Sequence, residues 1–150
     1  MGEPVGEAEL VERFPWVQIS HDNKHLYRGW LERELRINRC RDCGRFHHPP
    51  KPICPECWSW QIEPTPVSGR GVVHLAMFLR QGAPAPGVDY AVAPHPVVTV
   101  ELEEQPGLRF TSTVAGAPLE QIRIGLPVEL EWIDRYGAPF PAFRPRRGGR

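Results

Sequence analysis

All four cysteines of this 150-residue chain fall between positions 40 and 57, as two C-x-x-C pairs, Cys40/Cys43 and Cys54/Cys57, with ten residues between them. A C-x-x-C turn sets two thiolates about one metal-ligand spacing apart and aims backbone N–H groups at the sulfurs. Two such knuckles complete the four-sulfur tetrahedron that closed zinc sites prefer. Gly44 follows the first pair, where the turn asks for positive φ, and Trp58 stands at the matching place after the second. Pro49, Pro50, Pro52 and Pro55 stiffen the connection. Two structural disulfides belong to an oxidising compartment, for which the chain carries no secretion signal. A redox C-x-x-C sits at a helix start in a βαβ unit, a pattern missing here. Iron in the same four-thiolate geometry stays open, but one structural Zn2+ per chain is the expectation, with His47 and His48 left on the surface. A closed four-thiolate site offers no open coordination position for chemistry. Segment 36–60 has too few large apolar residues to fold alone, so the metal is its scaffold.

Eighteen Lys plus Arg balance eighteen Asp plus Glu, so the net charge is zero. The balance is a sum of unlike segments: −3 over 1–20, +4 over 21–51, −6 over 52–134 and +5 over 135–150. Basic patches of that kind steer anionic partners. No run of eighteen apolar residues exists to span a membrane, and Met1 to Glu12 is acidic without an apolar signal core, so a cytoplasmic protein is expected.

Residues 1–20 show no clear periodicity. From Asp22 to Glu34 the pattern is helical, with Leu26, Trp30, Leu31 and Leu35 on one side and Ser20 or Asp22 as N-cap. Tyr27 and Trp30 serve either packing within the chain or an interface. Leu35 to Arg39 is a short strand leading into Cys40. After Cys57 the period becomes two: Val73, Leu75, Met77 and Leu79 share one face of a strand over 71–80. Val98/Val100/Leu102, Leu108/Phe110/Ser112/Val114 and Val128/Leu130/Trp132 mark three more strands, and a short last one covers Pro141 to Arg144. One-sided strands of this number close into a small barrel that removes their edges.

The fold class expected is therefore mainly β: an N-terminal segment and helix (1–35), a zinc ribbon (36–62), a five-stranded OB-type barrel (63–145) and a disordered tail (146–150). A sixteen-residue insertion at 81–96, rich in Ala, Pro and Gly with Tyr90 at its centre, does not fit the barrel. The extended segment 137–150, with Phe140 and Phe143, does not fit either. No nucleophile elbow, P-loop, dinucleotide glycine motif or zinc-protease helix is present, and neither His74 nor His95 has a partner placed by motif. Autonomous catalysis is not expected.

The order of features resembles a known family. Cys40-Arg41-Asp42-Cys43-Gly44, the proline-rich run 49–57, Ser68-Gly69-Arg70-Gly71 and Ile124-Gly125-Leu126-Pro127-Val128 are similar to the OB-fold acyl-CoA-associated family long catalogued as domain of unknown function 35, over about residues 22–145. Trp58 departs from its usual glycine. The resemblance implies a non-catalytic partner of a thiolase-fold (lipid-transfer-protein-like) enzyme, such as a steroid side-chain aldolase, or of an enoyl-CoA hydratase. It implies two such chains flanking a thiolase-like dimer in a two-plus-two heterotetramer, with acyl-CoA as the partner's substrate. On that view Trp30, Tyr90, His95, Phe140 and Phe143 are candidates for contact with partner or substrate channel. Two alternatives are an acyl-CoA-binding module acting alone and a nucleic-acid-binding ribbon/OB protein. The latter is disfavoured by Glu101, Glu103, Glu129 and Glu131 on the strands.

Overall fold

The computed structural model describes residues 5–147. It contains two compact units: residues up to Val67 together with Asp134–Phe140, and Ser68–Ile133 together with the chain from Pro141 onward.

The first unit opens with helix α1 (Glu7–Arg13), in a stretch where no periodicity was expected. Its sequence signal is slight: one i,i+4 apolar pair, Leu10 and Phe14, with Glu7 and Glu9 in the first turn and Arg13 in the last, the polarity the helix dipole favours. Leu10 and Phe14 are fully buried. Helix α2 (Lys24–Leu31) is shorter than the pattern 22–34, and its N-cap is Asn23. The Ser20 N–H donates to Asn23 Oδ1 (2.8 Å) and the Asn23 N–H to Ser20 Oγ (3.3 Å), a reciprocal turn that leaves Asp22 outside. The helix ends because Arg33 turns left-handed (φ 54°), letting the Glu34 N–H reach the Gly29 carbonyl at 2.8 Å. Phe14, Tyr27, Trp30 and Phe140 then form one aromatic cluster, with ring centroids 4.7–5.7 Å apart. A three-stranded sheet follows: β1 (Arg36–Cys40), with β2 (Phe46–His47) and β3 (Ile62–Pro66) on either side, both antiparallel. Pro64 and Pro66 blunt the outer edge of β3.

The second sheet has the order β6-β5-β4-β7-β8, comprising β4 (Gly71–Leu79), β5 (His95–Leu102), β6 (Arg109–Ser112), β7 (Pro127–Arg135) and β8 (Ala138–Pro145). It closes where Val114 bridges Phe143 in parallel, with the Phe143 N–H on the Thr113 carbonyl (2.9 Å) and the Ala115 N–H on the Phe143 carbonyl (2.8 Å). Closure accounts for the paired strand edges, as the one-sided alternation required, and the topology is that of an OB barrel. Val73, Val98, Val100, Leu102, Val128 and Phe143 fill it, each at most 1% exposed.

The glycines of Ser68-Gly69-Arg70-Gly71 have a steric reason. A Cβ on Gly71 meets the Glu101 carbonyl and lies 2.6 Å from Val100 Cγ1, and one on Gly69 (φ 80°) runs into Leu130. Ser68 and Arg70 of the same run hold the far end of β5. The Ser68 N–H donates to Glu104 (2.8 Å), the Ser68 hydroxyl to Glu103 (3.0 Å), and Arg70 Nε to Glu103 (2.9 Å).

Three expectations change. Strand β4 does not keep one apolar face: its pairing skips His74, going from Val73↔Val100 to Leu75↔Thr99. A one-residue bulge moves every later side chain to the other face, so Val73 is buried while Leu75, Met77 and Leu79 are exposed. The long insertion is also shorter than 81–96, because His95 and Pro96 already pair with Leu79 and Phe78. Its residues form turns rather than a featureless loop, with the Val88 N–H on the Ala85 carbonyl (3.0 Å) and the Val92 N–H on the Asp89 carbonyl (3.1 Å). Of the tail, Arg146 is anchored by its N–H to the Pro127 carbonyl (2.9 Å) and Arg147 lies in a turn, whereas 148–150 fall outside the described residues.

Candidate functional site

The two knuckles are built alike. The Cys40 N–H donates to the Arg45 carbonyl and the Gly44 N–H to the Cys40 carbonyl, both at 2.9 Å. In the second knuckle the Cys54 N–H donates to the Ser59 carbonyl (2.9 Å) and the Trp58 N–H to the Cys54 carbonyl (3.0 Å). Sulfurs follow the same symmetry: the N–H groups of Cys43 and Asp42 point at Cys40, and those of Cys57 and Glu56 at Cys54. Arg45 and Ser59 supply the N–H for Cys43 and Cys57. The four sulfurs lie within 4.8 Å of one another, with Cys40–Cys57 at 3.5 Å and Cys43–Cys54 at 3.6 Å. A disulfide needs about 2.05 Å, whereas a tetrahedron of Zn–S bonds near 2.3 Å puts sulfurs roughly 3.8 Å apart. The cluster therefore fits a four-coordinate ion and not two cystines.

Electrostatics agree. The Cys43 N–H draws the Cys40 thiol down to about 7, against the opposing effect of burial. At Cys57 the Ser59 N–H also pulls down, but the Cys40 sulfur, burial and the other two sulfurs push the thiol up to about 12. Four thiolates this close need a cation between them to be ionised together.

Gly44 (φ 79°) and Trp58 (φ 64°) occupy equivalent left-handed positions. A side chain there costs roughly 1–2 kcal/mol, and the Trp58 indole, 76% exposed, recovers little of it by packing. Trp58→Gly is therefore expected to stabilise the zinc-loaded protein by roughly 1 kcal/mol. A thermal melt of the two proteins checks this.

His47 is buried, with Nε2 3.3 Å from the Lys51 carbonyl, so it is not a surface histidine and not a fifth ligand. Burial, and secondly the charge of His47, holds His48 at about 4, below the ordinary 6.5. Between those values the unfolded chain binds the extra proton and the folded one does not. Stability therefore falls as pH drops from about 6.5 toward 4, and above that window this group has no effect. His48→Gln is expected to flatten that slope in melts run across the window in zinc-saturated buffer.

The candidate contact residues are scattered. Trp30 is buried in the aromatic cluster. Phe143 is wholly buried, its ring 6.3 Å from that of Phe110, so it is a core residue and the expectation of a contact role is withdrawn. Phe140 is half-buried between Trp30 and the Arg135 guanidinium, which lies 4.3 Å above its ring. Tyr90 is half-buried in the 80–94 loop, and His95 starts β5 opposite Leu79.

A run of consecutive exposed apolar side chains lies elsewhere. From His74 outward β4 pairs with β5 alone among the described residues, since its pairing with β7 stops at Gly71 and Val72. On this arm Leu75 and Met77 are 45% exposed, and Phe78 and Leu79 38%. Alternation places Leu75, Met77 and Leu79 on the face of Val73, and the bulge at His74 turns them to the opposite one. Among the described residues no helix is long and apolar enough to cross a membrane.

The family model described as "ChsH2, rubredoxin-like zinc ribbon domain" matches residues 28–63, and "ChsH2, C-terminal OB-fold domain" matches 64–132. A DUF35 domain-containing scaffold protein of Methanocaldococcus jannaschii is 32% identical over 112 residues, covering 71% of this chain and 76% of the relative. A probable enoyl-CoA hydratase alpha subunit of Thermomonospora curvata is 33% identical over 132 residues, 87% of this chain. The chain spans only 40% of that subunit's length. Among solved structures, a chain of an Ltp2-ChsH2(DUF35) aldolase superposes with a TM-score of 0.75 at 32% identity, covering 86% of this chain and 98% of that one.

Proposed function

This chain belongs to the DUF35 family of zinc-ribbon and OB-fold proteins, and on that premise we propose that it is a non-catalytic scaffold subunit of a thiolase-fold acyl-CoA enzyme. It stabilises that partner, two copies flank the partner's dimer, and the 80–94 loop helps to line the substrate channel. Zn2+ held by Cys40, Cys43, Cys54 and Cys57 supplies the rigidity of the ribbon and no chemistry, because the four thiolates leave no open position.

One observation carries the reading: the outer half of β4. A strand with an open edge and Leu75, Met77, Phe78 and Leu79 in water invites pairing or aggregation unless something covers it. Beside it the loop offers Val92, 82% exposed, and half-buried Tyr90, with His95 at its base. The relatives support a partner as the cover, since the similar solved chain comes from an aldolase that also contains Ltp2.

The test is the triple variant Leu75→Ser, Met77→Lys, Leu79→Ser. Its side chains are already half in water, so the free protein is expected to melt within a few degrees of wild type. Association with the thiolase-like partner is expected to weaken by about 100-fold or more, as two or three buried apolar side chains are lost. Unchanged association in a pull-down or by calorimetry contradicts the proposal. Replacing 81–94 by a short Gly-Ser linker tests the channel role: unaltered binding together with unaltered activity removes it.

A further inference from the structure

Beyond His74, strand β4 runs on as an arm paired on one side only among the described residues. Its register shows which backbone groups stay unused. In β5 the Leu102 N–H donates to the Leu108 carbonyl (2.8 Å), and the Pro96 carbonyl accepts from the Thr113 hydroxyl (2.7 Å). The even-numbered residues of β5 thus turn their backbone toward β6 and away from β4. Ala76 lies opposite Val98, and Phe78 opposite Pro96. Opposed residues of an antiparallel pair exchange both hydrogen bonds or neither. Ala76 and Phe78 therefore direct N–H and C=O away from β5, on the side where pairing with β7 ends at Val72. Leu75, Met77 and Leu79 carry the bonds to β5.

An edge of this kind is usually blunted by proline or a charge. Strand β3 carries Pro64 and Pro66 for that purpose. On β4 the run His74-Leu75-Ala76-Met77-Phe78-Leu79 has no proline, lysine, arginine or carboxylate. Its exposed side chains lie on both faces, Leu75, Met77 and Leu79 on one and Phe78 on the other. Unused main-chain groups with apolar side chains above and below them are what strand addition to a sheet edge requires. The main-chain bonds supply affinity and the alternate side chains specificity. The charge of the arm is one-sided, since residues 71–80 hold Arg80 and no carboxylate. A second copy of the chain would bring another Arg80, whereas a strand of a different protein with an acidic residue near that end complements it.

We infer that the partner docks by strand addition. An extended segment of it, apolar at alternate positions and acidic near Arg80, pairs with the open edge of β4 through the main chain of Ala76 and Phe78. This rests on the scaffold reading and specifies how that interface is made, since apolar contact alone needs no hydrogen bond from this edge.

The experiment compares Ala76→Pro with Ala76→Val in the zinc-loaded full chain, each titrated by calorimetry with the thiolase-like enzyme of the same genome. Proline removes the outward N–H without touching a β4–β5 bond, and edge strands accept it there, while valine keeps the N–H. Ala76→Pro is expected to weaken association by about tenfold or more, because a buried carbonyl of the partner loses its donor. Ala76→Val is expected to weaken it by less than about threefold. In the wild-type chain the amides of Ala76 and Phe78 are expected to exchange freely alone, and at least about 100-fold more slowly in the complex. That second measurement decides the matter even where the proline variant does not fold. Equal effects of the two substitutions, or unslowed exchange at both amides of the complex, overturn strand addition. So does slowed exchange in the chain alone together with a homodimer mass, which makes a second copy the occupant. Association lost in the triple side-chain variant but kept in Ala76→Pro overturns the pairing and leaves the scaffold reading standing. A triple variant that binds as wild type overturns both.

Discussion

Chelating the metal, or exchanging Cys40 for Ser, is expected to unfold the ribbon of the first unit. The three short strands bury only Ile37, Cys40, Phe46 and His47, and the link between the knuckles adds Cys54. Structural zinc in modules of this kind supplies about 10–16 kcal/mol of apparent binding free energy at neutral pH. That is as large as the entire net stability of an ordinary domain, about 5–15 kcal/mol. Without the ion, sulfurs 3.5 and 3.6 Å apart cannot all ionise, and the N–H groups directed at them lose charged acceptors. The wild-type protein should contain one zinc per chain by elemental analysis. The zinc-free or Cys40→Ser protein should lose hydrogen-exchange protection at the amides of Cys40, Gly44, Cys54 and Trp58, while the barrel amides of β5 remain protected. Full protection of the knuckle amides after complete metal removal contradicts a structural role for the ion.

The second large effect is expected at Gly71. It lies in β4 where three strands meet, opposite Leu102 on one side and Val128 on the other. A Cβ there meets the Glu101 carbonyl, which is backbone and cannot rotate away, as well as Val100 of the core. Valine at this position forces β4 and β5 apart over the buried Val100 of the barrel core. Overpacking of this kind costs about 1–3 kcal/mol and more when backbone must move. At about 4–8 °C per kcal/mol for a unit of this size, a fall in melting temperature of roughly 10–20 °C is expected for Gly71→Val. Gly6→Ala, where the new Cβ meets nothing and only the N-cap preference of α1 is touched, should lower it far less, by about a few degrees at most. A melt of Gly71→Val at the wild-type temperature shows that the strands are not so closely joined.

What the sequence makes legible follows from how local each determinant is. The ribbon is local: four cysteines at fixed spacing define both knuckles. The barrel rests on alternation, which β5 and β6 keep throughout, and on Pro106-Gly107 turning the chain between them. By contrast, the bulge at His74 leaves no mark in the sequence, since Val-His-Leu-Ala-Met alternates well enough to suggest a single face. It is a register event between two strands and depends on β5 as much as on β4. Phe143 illustrates a different limit. Proline neighbours and a basic tail made it look peripheral, but the parallel bridge that closes the barrel carries it into the core. Helix α1 leaves little trace in the sequence because its seven residues bury only Leu10, which pairs with Phe14 at the C-cap, and tertiary packing rather than propensity holds it. The exposed Trp58 and Trp60 were visible as residues but not as surfaces, because exposure depends on where the second knuckle stands against β1 and β3.

A zinc-bearing scaffold subunit is expected to be found in complex with its thiolase-like partner rather than alone. The most direct measurement is co-expression of the full chain with the thiolase-like enzyme of the same genome, followed by light scattering of the purified material. A single species containing both chains in equal number, with a mass of two of each, is predicted, together with partner activity that falls when this chain is withheld. Separate elution of the two proteins, each at its own mass and with the enzyme fully active, contradicts the account.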